Sequence, residues 1–228
     1  MKPNLLLFFA ADDNEVVNLV KIVSFAAIAL LVVIVLILST NKKLFDTRSM
    51  AFGAICIAMS FALSFIKIPM PFGGSVTLAS FVPLLIYSYF FGPVKGLLAG
   101  IVYGLLQFIQ EPYYYTPVQF ILDYILAFSS LSLAGVFRKL LSSKSSVIVG
   151  AATVGIVRLV MHVLSGLIFF DLGIVYPELP QDSALIYSLV YNLIYVIPDI
   201  TIAIIAIIVM IYSGFYNRLG GLIEKTER

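Results

Sequence analysis

Apolar residues run on along most of this chain for longer than one buried helix face or one strand requires. Polar residues gather in the short gaps between those runs. A bilayer core needs about 20 consecutive apolar residues in helical form. Seven stretches are read as such helices: Val16–Ser39, Met50–Ile66, Val76–Phe91, Val94–Gln110, Pro117–Leu141, Val147–Phe170 and Ser183–Tyr212. The gaps carry turn chemistry, as in Ile68-Pro-Met-Pro-Phe-Gly-Gly-Ser75, Gly92-Pro93, Glu111-Pro112 and Tyr176-Pro-Glu-Leu-Pro180. The expected fold is all-α, a polytopic membrane helical bundle. Residues 1–46 are read as an extra N-terminal transmembrane helix with a cytoplasmic linker. Residues 47–228 are read as a six-helix core with a short cytoplasmic tail.

Composition agrees with the pattern. Only 11% of the 228 residues are charged, less than half the share usual in soluble domains, and the mean hydropathy is +1.09. Lys and Arg are unevenly placed. Lys42, Lys43, Arg48, Lys95, Arg138, Lys139, Lys144, Arg218, Lys225 and Arg228 fall on one side of the expected membrane, and only Lys2, Lys21 and Lys67 on the other. The positive-inside rule then puts the N-terminus outside and the C-terminus in the cytoplasm, as an odd number of spans requires. The net charge of +2 does not suggest nucleic acid as a partner. No secretory signal is read at the start of the chain.

Hydrophilic side chains at membrane depth are costly and therefore informative. Gln119 and Asp123 share a face of the fifth helix. Arg158, His162 and Ser165 form a stripe on the sixth, and Ser188, Asn192, Tyr195 and Asp199 another on the seventh, beside Tyr187 and Tyr191. At 1.5 Å of rise per residue, Asp123, His162 and Asn192 all lie about 10–13 Å below the outer ends of their helices. A carboxylate, an imidazole and an amide at one level, among tyrosines, describe a pocket for a small, flat, cationic or amine-bearing ligand. Such groups can instead hydrogen-bond one another and hold helices together. Arg158 and Asp199 sit deeper and are read as a structural ion pair outside the site. Ala54, Ala58 and Ala62 line one face of the second helix, suited to close packing inside the chain or against a partner.

The chain has no G-x-x-x-x-G-K-[ST], so it is not expected to hydrolyse ATP. One cysteine, Cys56, and one histidine leave no multi-cysteine redox or metal site. No cofactor is expected, and no enzyme activity.

Three ordered motifs carry a resemblance: Pro117-Val-Gln-Phe-Ile-Leu-Asp-Tyr124, then Arg158 with His162 and Ser165-Gly-Leu-Ile-Phe-Phe170, then Tyr187-Ser-Leu-Val-Tyr-Asn192. Weaker matches lie at Gly73-Gly-Ser-Val-Thr77, Phe81-Val-Pro-Leu-Leu85 and Tyr103-Gly-Leu-Leu-Gln107. The chain resembles the thiamine-specific S component (ThiT family) of energy-coupling factor transporters over about Thr47 to Tyr212. The resemblance implies a membrane subunit that binds thiamine from outside. A transmembrane coupling subunit and two ATPase subunits would then drive uptake. It implies ligand contacts from Asp123, Tyr124, His162, Phe170, Tyr187, Asn192 and Tyr103, a lid at Gly73, Gly74 and Ser75, and partner docking at Ala54, Ala58 and Ala62.

Departures are visible as well. The chain has no tryptophan, Thr116 stands where a histidine often precedes Pro-Val-Gln, and Asp171–Asp182 follows the family pattern loosely. Alternatives are an S component for pyridoxine or the thiamine pyrimidine moiety, a membrane hydrolase built on Ser165 and His162, and a stand-alone secondary transporter.

Overall fold

The computed structural model describes Ile22, residues 46–141 and residues 145–225. The expected first span, and with it the 1–46 unit, lies outside the described residues apart from Ile22 and Asp46. The described chain folds as α1 (Thr47–Ser64), a hairpin of β1 (Lys67–Pro69) and β2 (Ser75–Thr77), α2 (Val82–Phe91) and α3 (Pro93–Gln110). These are followed by α4 (117–140), α5 (Ser146–Asp171), α6 (Ala184–Tyr212) and α7 (Phe215–Lys225). Five of these helices, α1, α3, α4, α5 and α6, are long and apolar enough to cross a membrane, and α2 is a shorter apolar helix.

The bundle is inverted relative to a soluble protein. Its outer faces carry Ile55, Val102, Ile109, Ile156, Ile197 and Val209, all exposed. In water such a belt would be an aggregation surface; in a bilayer it faces hydrocarbon. Small and polar side chains such as Ser49, Ser60, Ser64, Ser88 and Ser129 are buried between helices instead. Gly104 shows why. A Cβ at that position would lie 2.2 Å from the Tyr124 carbonyl oxygen, so only glycine lets α3 reach the α4 backbone that carries Asp123.

The third span differs from expectation. Its helix starts at Val82, not Val76, with Pro83 in its first turn. Proline cannot donate an amide proton to a preceding turn and is accommodated most readily in the first turn of a helix. Residues 75–77 pair with 67–69 instead, in antiparallel register Lys67↔Thr77, Ile68↔Val76 and Pro69↔Ser75. The chain turns at Gly73 and Gly74, both with positive φ (99° and 68°), a region costly for residues with a Cβ.

α4 begins with Thr116 as its N-cap in a capping box with Gln119. It then widens into a π-helical turn over Ile121–Leu126. Such turns re-aim side chains and are frequent at functional sites; Asp123 lies in this one.

At one end of the bundle Lys95 pairs with Asp46, and Arg138 donates to the Phe90 carbonyl. Lys95 and Ser49 donate to the Asp46 carboxylate and hold it well below the usual carboxylate range. α7 packs at this same end, burying Tyr216 and Ile223 beside Tyr89 and Phe90. The sequence predicts only a short cytoplasmic tail here, since a few apolar residues one turn apart amid charges fall far short of a span. At the opposite end, Lys67 of the hairpin pairs with Glu111.

Candidate functional site

A cavity of about 410 Å³ opens toward the hairpin end and is walled by α3, α4, α5, α6 and the hairpin itself. Its size falls within the range of small-molecule sites, about 300–1,000 Å³. Asp123, Tyr124, His162, Asn192 and Tyr103 line it, as do Gly73, Gly74 and Ser75 of the hairpin. The fold thus brings together, in one space, residues separated by up to 126 positions in sequence, from Gly73 to Asp199.

On one wall, Asp123 Oδ1 lies 2.8 Å from His162 Nδ1, and Asp123 Oδ2 accepts a 2.5 Å hydrogen bond from Ser165. Ser165 and His162 therefore converge on the carboxylate rather than forming a nucleophile–base pair. His162 Nε2 is buried and has no hydrogen-bond partner. Asn192 is held rigidly: its amide nitrogen donates to the His162 and Ser188 carbonyls (3.1 and 2.8 Å), and its oxygen accepts from Tyr195 (2.6 Å). Tyr103 is fully buried and donates to Ser80 at 3.2 Å. The Tyr124 hydroxyl is committed to the α3–α4 loop, donating to the Glu111 carbonyl at 2.7 Å and accepting from the Tyr113 amide at 3.0 Å.

Arg158 and Asp199 form the expected ion pair, at 3.2 Å with both side chains buried. They also line the cavity, contrary to the expectation that they lie outside the site. Depth alone put them apart from the ligand groups, but the cavity reaches down to them. The Arg158 guanidinium lies over Phe81 and Phe128, 4.7 and 5.2 Å from the ring centroids. Asp199 Oδ1 accepts from both the Thr77 amide (3.0 Å) and the Thr77 hydroxyl (2.9 Å). The hairpin is thereby tied to α6. A lone two-stranded hairpin is marginal, and this one also rests on Tyr191 and Tyr195. A Cβ on Gly73 would meet the Tyr191 hydroxyl at 2.6 Å, and one on Gly74 the Tyr195 ring at 2.8 Å. Tyr191, Tyr195 and Asp199 lie four residues apart on one helix face, so a single stripe of α6 seats the hairpin.

Two candidate residues are not in the cavity wall. Phe170 packs against Tyr187 at 5.4 Å between centroids, and Phe169 takes the cavity position. Helical phase explains it: at about 100° per residue, Phe169 lies only about 20° from the direction of His162, Phe170 about 80° away. Tyr187 lines a small adjoining recess and accepts a 3.0 Å hydrogen bond from the Tyr176 amide. It holds the α5–α6 loop so that Tyr176 itself reaches the cavity. The mouth is aromatic, with Tyr113 stacked on Phe169 (5.4 Å, 11°) and Tyr176 on Tyr191 (6.2 Å, 18°). Burial pushes the Tyr113 phenol up to about 12, so it is a neutral hydrogen-bonding group at physiological pH. These loop aromatics gave no periodic signal; only the Tyr113-Tyr-Tyr115 run hinted at them. Among the described residues no cluster of His, Cys, Asp or Glu suits a metal ion.

Residues 50–217, nearly all of the described bundle, match the family model described as Thiamine transporter protein (Thia_YuaJ). The chain belongs to this thiamine transporter family. It is similar to the thiamine transporter ThiT of Bacillus subtilis, 34% identical over 156 residues that cover 64% of this chain and 79% of that protein. Among solved structures it is similar to ThiT from Listeria monocytogenes, with a TM-score of 0.63, 25% identity, and coverage of 76% of this chain and 96% of that one. A second is described as the S component of a bacterial ECF transporter, with a TM-score of 0.53, 28% identity, and coverage of 75% and 97%. The chain is thus a multi-pass membrane protein of a transporter family, and the cavity lies within the matched region.

Proposed function

We propose that this chain is the thiamine-binding S component of an ECF-type importer. It takes thiamine from outside the cell, and partner subunits supply the ATP-driven step. The observation that carries the reading is the cavity itself. In a chain of this family, it sets a carboxylate, an imidazole and a rigid amide among aromatic rings near one membrane face. A flat cation with an exocyclic amine meets each of those features: π faces for the rings, acceptors for the amine, a carboxylate for the charge. Asp123, His162, Asn192, Tyr103 and Tyr124 form the binding set in this reading, with Gly73, Gly74 and Ser75 as the lid. The clustering of basic residues at the end opposite the cavity supports an extracellular mouth and a cytoplasmic C-terminus.

Ala54, Ala58 and Ala62 are exposed along one face of α1, with Ile55 and Met59 beside them. Their exposure supports this face as the docking surface for the coupling subunit. The chain itself performs no covalent chemistry in this scheme. The test is to purify the chain in detergent, identify by mass spectrometry the small molecule that comes with it, and titrate the emptied protein with thiamine, pyridoxine and the free aminopyrimidine. One-to-one binding with preference for thiamine is expected. Preference for either alternative, or chemical turnover of the ligand, would replace this reading.

A further inference from the structure

The hairpin that covers the cavity is fastened to its neighbours by ties of unequal strength. At its root, the buried Ser64 at the end of α1 hydrogen-bonds Gln110 at the end of α3, at 2.8 Å. On β2, Thr77 gives two donors to Asp199, which is itself buried and paired with Arg158. On β1, Lys67 forms an ion pair with Glu111, the C-cap residue of α3. Lys67 and Thr77 face each other in the hairpin register, so these two ties hold its opposite edges at one level. The Lys67 tie is the weak one. Its side chains are 29% and 67% exposed, and ion pairs this open to solvent contribute little to stability.

Glu111 also belongs to the cavity, which it lines beside Pro112 and Tyr113. Its backbone is fixed: the amide donates to the Gln107 carbonyl at 3.0 Å, and the carbonyl accepts from Tyr124 at 2.7 Å. A rigid main chain thus presents a carboxylate at the mouth, opposite a flexible lysine. Among the described residues Lys67 is the only Lys or Arg at this end of the bundle. Glu178 and Asp182 of the α5–α6 loop, both exposed, add negative charge there. An acidic rim of this kind draws cations from solution.

We propose that the Lys67–Glu111 pair is an exchangeable latch, and that Glu111 is the outer capture site for the cationic ligand. At rest the tethered ammonium of Lys67 occupies Glu111 and keeps β1 against α3. A cation entering the mouth takes that place, frees the β1 edge and passes inward toward Asp123. Lys67 then closes the pair behind it. A neutral molecule cannot replace the ammonium, so the latch favours cations at entry, before the contacts inside the cavity act. The buried ties at Ser64 and Thr77 keep the hairpin on the bundle throughout. The capture step rests on the thiamine reading above; the latch does not.

Association rates separate this from a passive lid. They are measured by stopped flow on the full chain in lipid nanodiscs, at low and high salt, with thiamine and its neutral thiophene isostere. Glu111→Gln should slow thiamine entry at low salt about threefold to tenfold and flatten its salt dependence. Lys67→Met leaves Glu111 unoccupied and should speed thiamine entry by a similar factor. The isostere should enter faster in both variants, since either one opens the latch. If both variants shift thiamine in the same direction, or Glu111→Gln leaves its entry rate unchanged, the capture site is overturned. The latch is read without ligand, from the distance between nitroxides at Pro71→Cys and Gln181→Cys in a Cys56→Ser background. Lys67→Met and Glu111→Gln should each broaden that distribution toward longer distances, and a distribution unchanged by either refutes the latch. If the parent chain binds neither compound, the thiamine reading falls and the label distances still decide the latch.

Discussion

Asp123 and Asp199 are two carboxylates in apolar helices, lining one cavity, and they are held in different ways. Asp199 is nearly inaccessible, with a side chain 5% exposed. It meets a permanent cation, Arg158, on one oxygen and both Thr77 donors on the other. Asp123 is more open, at 19%, and its neighbours are an imidazole and a hydroxyl that carry no fixed charge. A buried carboxylate facing a guanidinium is neutralised within the protein. One beside an imidazole and a hydroxyl has no permanent cation of the protein against it and is open to a cationic ligand. The partner, not the residue type, separates a structural acid from a binding one.

The sharpest way to break this contrast is to remove Asp199. Asp199→Ala strands the Arg158 guanidinium in a buried site and should cost about 3–5 kcal/mol of stability, read as a large fall in thermal midpoint in detergent. Replacing both partners (Arg158→Met with Asp199→Leu) should recover most of that loss. If Asp199→Ala is no more destabilising than Asp123→Asn, the two acids are not different in kind. Asp123→Asn is the next effect in size. It should weaken thiamine binding by about 1.5–3 kcal/mol, the worth of a hydrogen bond to a charged group, with little change in thermal midpoint. Unchanged affinity would take Asp123 out of the site.

Thr77→Val sharpens the contrast from the hairpin side. It keeps the amide bond to Asp199 and removes the hydroxyl bond, a loss of about 1.5 kcal/mol at the low end for charged acceptors. A tie that holds the lid should show it as faster ligand release, measured by stopped-flow exchange, with a smaller fall in thermal midpoint than Asp199→Ala gives. The smallest effect concerns neighbouring rings. Phe169→Leu should weaken binding by about 0.5–1.5 kcal/mol through lost ring contact, and Phe170→Leu by less. The reverse order in a calorimetric titration would contradict the phase assignment.

Much of the bundle was legible in the sequence. Five long spans and their turn-rich breaks were evident because hydrocarbon imposes a length and excludes charge, and both constraints act locally. Asp123, His162 and Asn192 stood out for the same reason: a polar group at membrane depth has to be accounted for. The start of α2 was not legible. Val76 to Phe91 reads as one apolar run, and only pairing of residues 75–77 with 67–69 turns its first part into a strand. Phe169 and Phe170 belong to one motif, and only the helical phase relative to His162 separates the cavity residue from its neighbour. Arg158 and Asp199 were recognised as a pair, but their second role as cavity wall depends on how far the space between helices extends.

The order of hydrophobic runs and the positions of scarce polar residues are properties of the chain alone, since burial in a membrane penalises each residue where it stands. Which of those polar groups satisfy one another and which are left facing a void is decided by helix rotation and approach. Gly104 shows that such approach turns on a single methyl group. A linear pattern names the costly residues; only the packed helices determine that Asp199 is committed to Arg158 and Thr77 while Asp123 meets His162 and Ser165 at the cavity wall.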